Sequence, residues 1–237
     1  MARSLSPAER VERLRTDQRT IELLNDADCP VRVTGHRNAA DARAGRDPVP
    51  PGDLNPPTDY LVVYEFDTLR ARGVRHQPTM VHVAPLANGD YPRSAPTAWV
   101  VSDVIPWTPH FAANVPVCHG DHTWIPNRTL LVDYIIHIGK LLNFDEPPPT
   151  PSYHGYNGSA VAYWRDEMKF EPLNPDLRFP SIRAEEARRS GVFRPAATAA
   201  PSTDRFRPAR AAAPQASGRF RGSSSPPRPR FAPAGER

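Results

Sequence analysis

Cys118 sits in the stretch NVPVCHGDHTWIPNRTLLVDYIIHIGKLL, residues 114–142, and is one of only two cysteines in the chain. His110 and Asn114 precede it, and His119 and His122 follow it closely. Residues of these types suit two chemistries. In one, the thiolate is a nucleophile and an imidazole supplies charge or acts as base. In the other, a thiolate and imidazoles from Cys118, His110, His119 and His122 form a tetrahedral shell for zinc. Zinc fits the spacing poorly: adjacent Cys118 and His119 can hardly both ligate one ion, and no Cys-x-x-Cys pair occurs. A third reading makes Cys118 a small buried hydrophobe at a strand end and the histidines, His137 included, solvated or hydrogen-bonded groups. No Lys or Arg occurs between Ser94 and Asn127, so a cation that lowers the thiol pKa must come from elsewhere in the fold. Cys29 has no comparable surroundings and reads as structural.

The elements that must position these groups are legible in the pattern of apolar residues. SPAERVERLRTDQRTIELL offers Ser6 as N-cap, Pro7 at the first helical position and Glu9 three residues after the cap. Val11, Leu14, Gln18, Ile21 and Leu24 then share one face of a predicted helix. Four strands are predicted in CPVRVTGH, DYLVVYEF, TMVHVAPL and TAWVVSDVIP, each bounded by Pro, Gly, Asn or Asp. With no helices foreseen between them, they form an antiparallel meander, and the class is α+β. The long loop RNAADARAGRDPVPPGDLNPPT reads as a flexible excursion or a functional flap. Thr129 is expected to cap a helix in which Leu131, Ile135, Ile138 and Leu142 face the sheet. SAVAYWRDEMKF reads as a second helix with Val161 and Trp164 on one side, and PSIRAEEARRS as a short polar one.

Charge is divided along the chain. Residues 191–237 hold nine Arg against Asp204 and Glu236, a balance of 9 − 2 = +7; the remaining 190 residues sum to 21 − 24 = −3. This tail mixes Pro, Ala, Ser and Arg with isolated Phe, so burial of its apolar groups cannot offset the entropy of ordering it. The expected organisation is one domain over residues 1–185 and a disordered basic tail over 186–237. The tail is either a solvated segment or an electrostatic arm for an acidic partner or nucleic acid, with nucleic acid not expected as the main partner. No apolar run approaches the ~18 residues of a membrane span, and the N-terminus lacks the order of a signal peptide, so a cytoplasmic location with reduced thiols is expected.

Several landmarks occur here in a particular order: the opening helix, the four strands, Tyr91-Pro92 with Pro96, a Pro109-His110 element with Asn114, Val117-Cys118, Trp124 with Pro126, and an apolar helix ending in Leu141-Leu142. That order resembles the ubiquitin-conjugating enzymes over roughly residues 6–170. In that family a Tyr-Pro-x-x-x-Pro turn leads into the last strand, a His-Pro-Asn element precedes the catalytic cysteine, and a Trp-x-Pro begins the next helix. Here the His-Pro order is inverted, Asn114 lies only four residues before Cys118, and His119 stands where the family usually has leucine. Such shortened forms look like bacterial members of ubiquitin-like conjugation operons, a setting that implies antiviral defence.

The resemblance implies a UBC-like fold and an acyltransferase. Its partners would be a ubiquitin-like protein and an activating enzyme, with no cofactor and no metal. Cys118 would accept the acyl group by exchange between thioesters, and transfer to an amine or hydroxyl would build an oxyanion for Asn114 or His110 to stabilise. His119 or His122 would supply charge or act as base. Asp145 and Glu146 fall where the family often has an acid that helps deprotonate an attacking lysine. A variant of this reading is an inactive UBC-like adaptor that only binds the ubiquitin-like partner.

Overall fold

The computed structural model describes residues 5–120, 123–146 and 155–182. Helix α1 (Pro7–Asp26) opens with the foreseen capping box: the Ser6 hydroxyl accepts from Glu9 N–H and the Glu9 carboxylate accepts from Ser6 N–H. Leu14, Gln18, Ile21 and Leu24 are buried on its inner face, whereas Val11 of the expected set is exposed.

Strands β1 (Val31–His36), β2 (Asp59–Tyr64), β5 (Thr79–Ala84) and β6 (Thr97–Val100) form one antiparallel sheet in the order β1-β2-β5-β6, while β3 (Thr68–Ala71) and β4 (Val74–His76) form a separate hairpin. The register sets Gly35 opposite Tyr60, Val62 opposite Val81 and Val83 opposite Ala98. Period-two alternation thereby turns Val31, Val33, Tyr60, Val62, Tyr64, Val81, Val83 and Ala98 to the core. The chain is thus α+β, with an N-terminal helix and a four-stranded antiparallel sheet.

Two departures from the expected meander have local causes. The stretch after β1 is not wholly loop: α2 (Ala39–Ala44) forms there, capped by the Asn38 side chain on Asp41 N–H and closed by Gly45 at φ 61°. The proline-rich remainder is stitched down, with Gln18 Nε2 donating to Pro50 O, Gly52 N–H to the Glu22 carboxylate and Val49 N–H to Gly35 O. The hairpin β3–β4 turns at Gly73, whose φ of 68° is the left-handed region that favours glycine.

Helix α3 (Leu131–Leu142) lies on the core face beside α1, burying Leu131, Ile135, Ile138 and Leu142 as expected; Tyr64 OH donates to Ile135 O at 2.8 Å. Its N-terminus corrects one expectation. Thr129 does not cap it: the Thr129 hydroxyl accepts from Ile125 N–H, the Asp133 carboxylate accepts from Leu130 N–H, and Leu131 N–H donates to Asp17 of α1 at 3.1 Å. Helix α4 (Gly158–Asp166) is capped by Asn157 and buries Val161 and Trp164, the latter with Leu69, Phe144 and Leu173 in a small second cluster. The tail over 186–237, and nearly all of the short polar helix foreseen in PSIRAEEARRS, lie outside the described residues. No helix among the described residues is long and apolar enough to cross a membrane.

Candidate functional site

After β6 the chain runs to His110, reverses, and returns through Cys118. Phe111 and Val117 are buried in the core on either side of the reversal, and Val117 N–H donates to Ala98 O of β6 at 2.8 Å. Cys118, next along the returning segment, is left partly exposed. Between the buried residues, Ala113 and Asn114 form an exposed turn with Asn114 at φ 59°, a conformation asparagine tolerates better than most residues.

His110 and Cys118 bridge the two legs of this excursion. Cys118 N–H donates to His110 O at 3.0 Å, and His110 Nδ1 lies 3.0 Å from Cys118 O. A carbonyl only accepts, so Nδ1 carries the proton. Burial pushes the His110 imidazole down to about 4 from its ordinary value of 6.5, with its hydrogen bond to Cys118 O pulling the other way. The ring is therefore neutral near pH 7, its one N–H already committed to the backbone of the cysteine. In that tautomer Nε2 has no proton to give an oxyanion, so the geometry makes His110 a positioning residue for Cys118. Asn114, exposed on the turn, makes no side-chain hydrogen bond among the described residues, to Cys118 or to any other.

The stretch beyond the cysteine is also tied down. His119 Nδ1 donates toward Gly120 O and Thr123 Oγ1, both at 3.0 Å, and its ring meets the edge of Tyr134 at 5.2 Å. In the neutral ring this leaves Nε2 as the lone-pair nitrogen, the form a general base requires. His119 O accepts from Thr123 Oγ1 at 2.9 Å and from His137 Nε2 of α3 at 3.0 Å. Burial lowers the His137 pKa, opposed by its bond to His119 O and by Glu146, whose carboxylate lies 3.8 Å from Nδ1. Glu146 also pairs with Lys140 at 3.4 Å, and Asp145 accepts from Asn143. His122 and Asp121 lie outside the described residues.

Behind the site, residues far apart in sequence meet. Trp124 Nε1 donates to Pro92 O at 3.0 Å, and its ring packs on Tyr91 at 5.6 Å and on Tyr134 at 6.2 Å. The Arg13 guanidinium lies over both Tyr91 and Trp124, binds Asp17, and donates to Thr129 O. Tyr91 OH donates to the same Asp17 carboxylate, which is fully buried. Burial pushes the Asp17 carboxyl up, against the pull of Arg13, Tyr91 OH and Leu131 N–H.

Among the described residues no three of His, Cys, Asp and Glu converge as metal ligands. Cys29 is buried, its Sγ 3.9 Å from Leu24 O, and burial raises its pKa; a thiol of that kind is inert. Sequence reasoning treated His137 as incidental and gave Asp17 no part at all, because no local pattern marks a contact made across the fold. No family model matches the chain, and no curated protein matches it.

Proposed function

We propose that this chain is a conjugating protein of ubiquitin-conjugating-enzyme type. It accepts a ubiquitin-like protein as a thioester on Cys118 from an activating enzyme and passes it to an amine or hydroxyl. The reading includes the UBC-like fold and a place in a bacterial conjugation pathway. The observation that carries it is the meeting of Tyr91, Pro92 and Trp124, three of the family landmarks, against α3, with a partly exposed Cys118 on the loop between them in chain order.

In loading, the Cys118 thiolate attacks the carbonyl carbon of the incoming thioester; the new C–S bond forms as the activating enzyme's thiolate leaves. The exchange is nearly thermoneutral and asks little of nearby acids or bases. In discharge an amine attacks the Cys118 thioester, the carbonyl oxygen becomes an oxyanion, and collapse expels the Cys118 thiolate while the amine proton passes to a base. His119 is the candidate for the base, and the exposed Asn114 the candidate for the donor. His110 serves both steps by fixing the cysteine's backbone.

The test is to incubate the full chain with a candidate cognate activating enzyme and ubiquitin-like protein, and ATP, and to resolve the products with and without reductant. A reductant-sensitive adduct is expected for the wild type and none for Cys118→Ala; an unchanged adduct in that variant overturns the assignment. Binding of the ubiquitin-like protein with no adduct at all identifies an adaptor. For discharge, Asn114→Gly keeps the left-handed turn and removes the amide, so pre-loaded protein should lose about 10²–10³ in rate if Asn114 is the oxyanion donor. Wild-type discharge by Asn114→Gly reduces Asn114 to a turn residue.

A further inference from the structure

Two successive carbonyls follow the thiol, and each is held by an imidazole from a different part of the fold, His110 buried and His137 partly buried. Cys118 O takes Nδ1–H of His110, from the leg before the reversal, and His119 O takes Nε2–H of His137, from the middle of α3. We infer that His137 is a positioning residue for Cys118, holding the peptide that follows the thiol through its Nε2–H bond to the His119 carbonyl. The inference rests on Cys118 being the reacting group.

The bond fixes a tautomer. Since the carbonyl can only accept, the proton is on Nε2, and in the neutral ring Nδ1 presents a bare lone pair. That bare nitrogen lies 3.8 Å from the Glu146 carboxylate, itself shared with Lys140. The ring therefore gives its Nε2 proton to the backbone beside Cys118 and faces Glu146 through Nδ1. Thr123 Oγ1 binds the same His119 oxygen, so the carbonyl is held from the loop as well as from α3. Immediately beyond, Gly120 at φ 79° turns the chain away. With Cys118 N–H on His110 O, the backbone is therefore held before, at and after the nucleophile, and the thiol position depends on one remaining rotation about χ1. Removing the α3 anchor leaves the His119 carbonyl to the Thr123 hydroxyl alone, next to the glycine turn, where the backbone has most room to move.

The test compares His137→Leu, which fills the space without a donor, with His137→Gln, whose side-chain N–H has a reach similar to that of Nε2. In the full chain pre-loaded on Cys118, the leucine variant should discharge to hydroxylamine about 10- to 100-fold more slowly with loading little changed, and the glutamine variant should recover most of the loss. Two readouts need no conjugation partner. The rate of Cys118 alkylation by iodoacetamide, followed by mass spectrometry so that Cys29 is counted separately, should shift in the leucine variant and return in the glutamine variant. The ring nitrogens of His137 in the wild type, observed by NMR after ¹⁵N-histidine labelling, should show the proton on Nε2 near neutral pH. A wild type that forms no thioester defeats the conjugation reading, while alkylation and tautomer still decide the anchor. Wild-type discharge and alkylation in His137→Leu, loss without rescue in His137→Gln, or a neutral ring with its proton on Nδ1 and none on Nε2 overturns it; if the leucine variant does not fold, the glutamine variant and the tautomer decide.

Discussion

At the scale of single residues, burial makes His110 a stability sensor for pH. In the folded protein it stays neutral down to about pH 4, whereas the unfolded chain takes up the proton near 6.5. The unfolded state therefore binds more protons throughout that window, and stability falls as the pH falls through it. Between pH 7.5 and 5, above most carboxylate titration, this one group should cost about 2 kcal/mol of unfolding free energy. His137 shifts in the same direction and adds to the same limb. Urea midpoints measured across this range should drop for the wild type and drop less steeply for His110→Gln; equal slopes would show that His110 titrates normally when folded. Residue type and order were enough to single out Cys118, His110, Asn114 and His119 as candidates, and His122, singled out with them, lies outside the described residues. Their division of labour was not legible in this way, because it turns on which nitrogen faces which carbonyl. His110 was expected as a possible oxyanion donor, and only the bond to Cys118 O reveals where its proton is spent.

At the scale of elements, local chemistry was legible and long-range chemistry was not. The Ser6–Glu9 box of α1 and the Val- and Tyr-rich strands are written in neighbouring residues, and each forms where the sequence places it. The start of α3 was misassigned to Thr129 because its cap arrives from another helix: Asp17 reaches across to Leu131 N–H while holding Arg13 and Tyr91 OH. Nothing within the α3 sequence announces that partner. The consequence is a tie between α1, α3 and the Tyr91–Trp124 cluster, centred on one fully buried carboxylate whose cation, Arg13, has a side chain only 11% exposed. Asp17→Ala leaves that cation without its partner and the helix N-terminus without its acceptor, so unfolding free energy should fall by about 3–5 kcal/mol. Tyr91→Phe removes one donor to a charged acceptor and should cost about 1.5–3 kcal/mol. Equilibrium urea denaturation of the three proteins measures both; a loss below about 1 kcal/mol for Asp17→Ala would show that the network does not lock the elements together.

At the scale of the whole molecule, the charge balance separates two jobs. Residues 1–190 carry −3 and include the sheet, α1, α3 and Cys118, whereas residues 191–237 carry +7 in arginine-rich segments interleaved with phenylalanine. Lysine is absent from the latter, so its cations are guanidiniums, which bind phosphates in a bidentate way and stack on bases. On the reading of residues 191–237 as an electrostatic arm, the chain should bind a polyanion there, whereas a merely solvated segment should bind none. With fluorescent single-stranded RNA as the probe, the full chain should bind with an affinity that falls steeply with salt, each phosphate neutralised contributing about −0.7 to the slope of log K against log salt. A chain ending at residue 190 has the opposite net charge and should lose that binding, yet keep its melting temperature and its rate of loading on Cys118. Binding that survives truncation, or that ignores salt, would move the polyanion site off the arginines. A melting temperature that drops on truncation would instead show that residues 191–237 contribute to the stability of the domain.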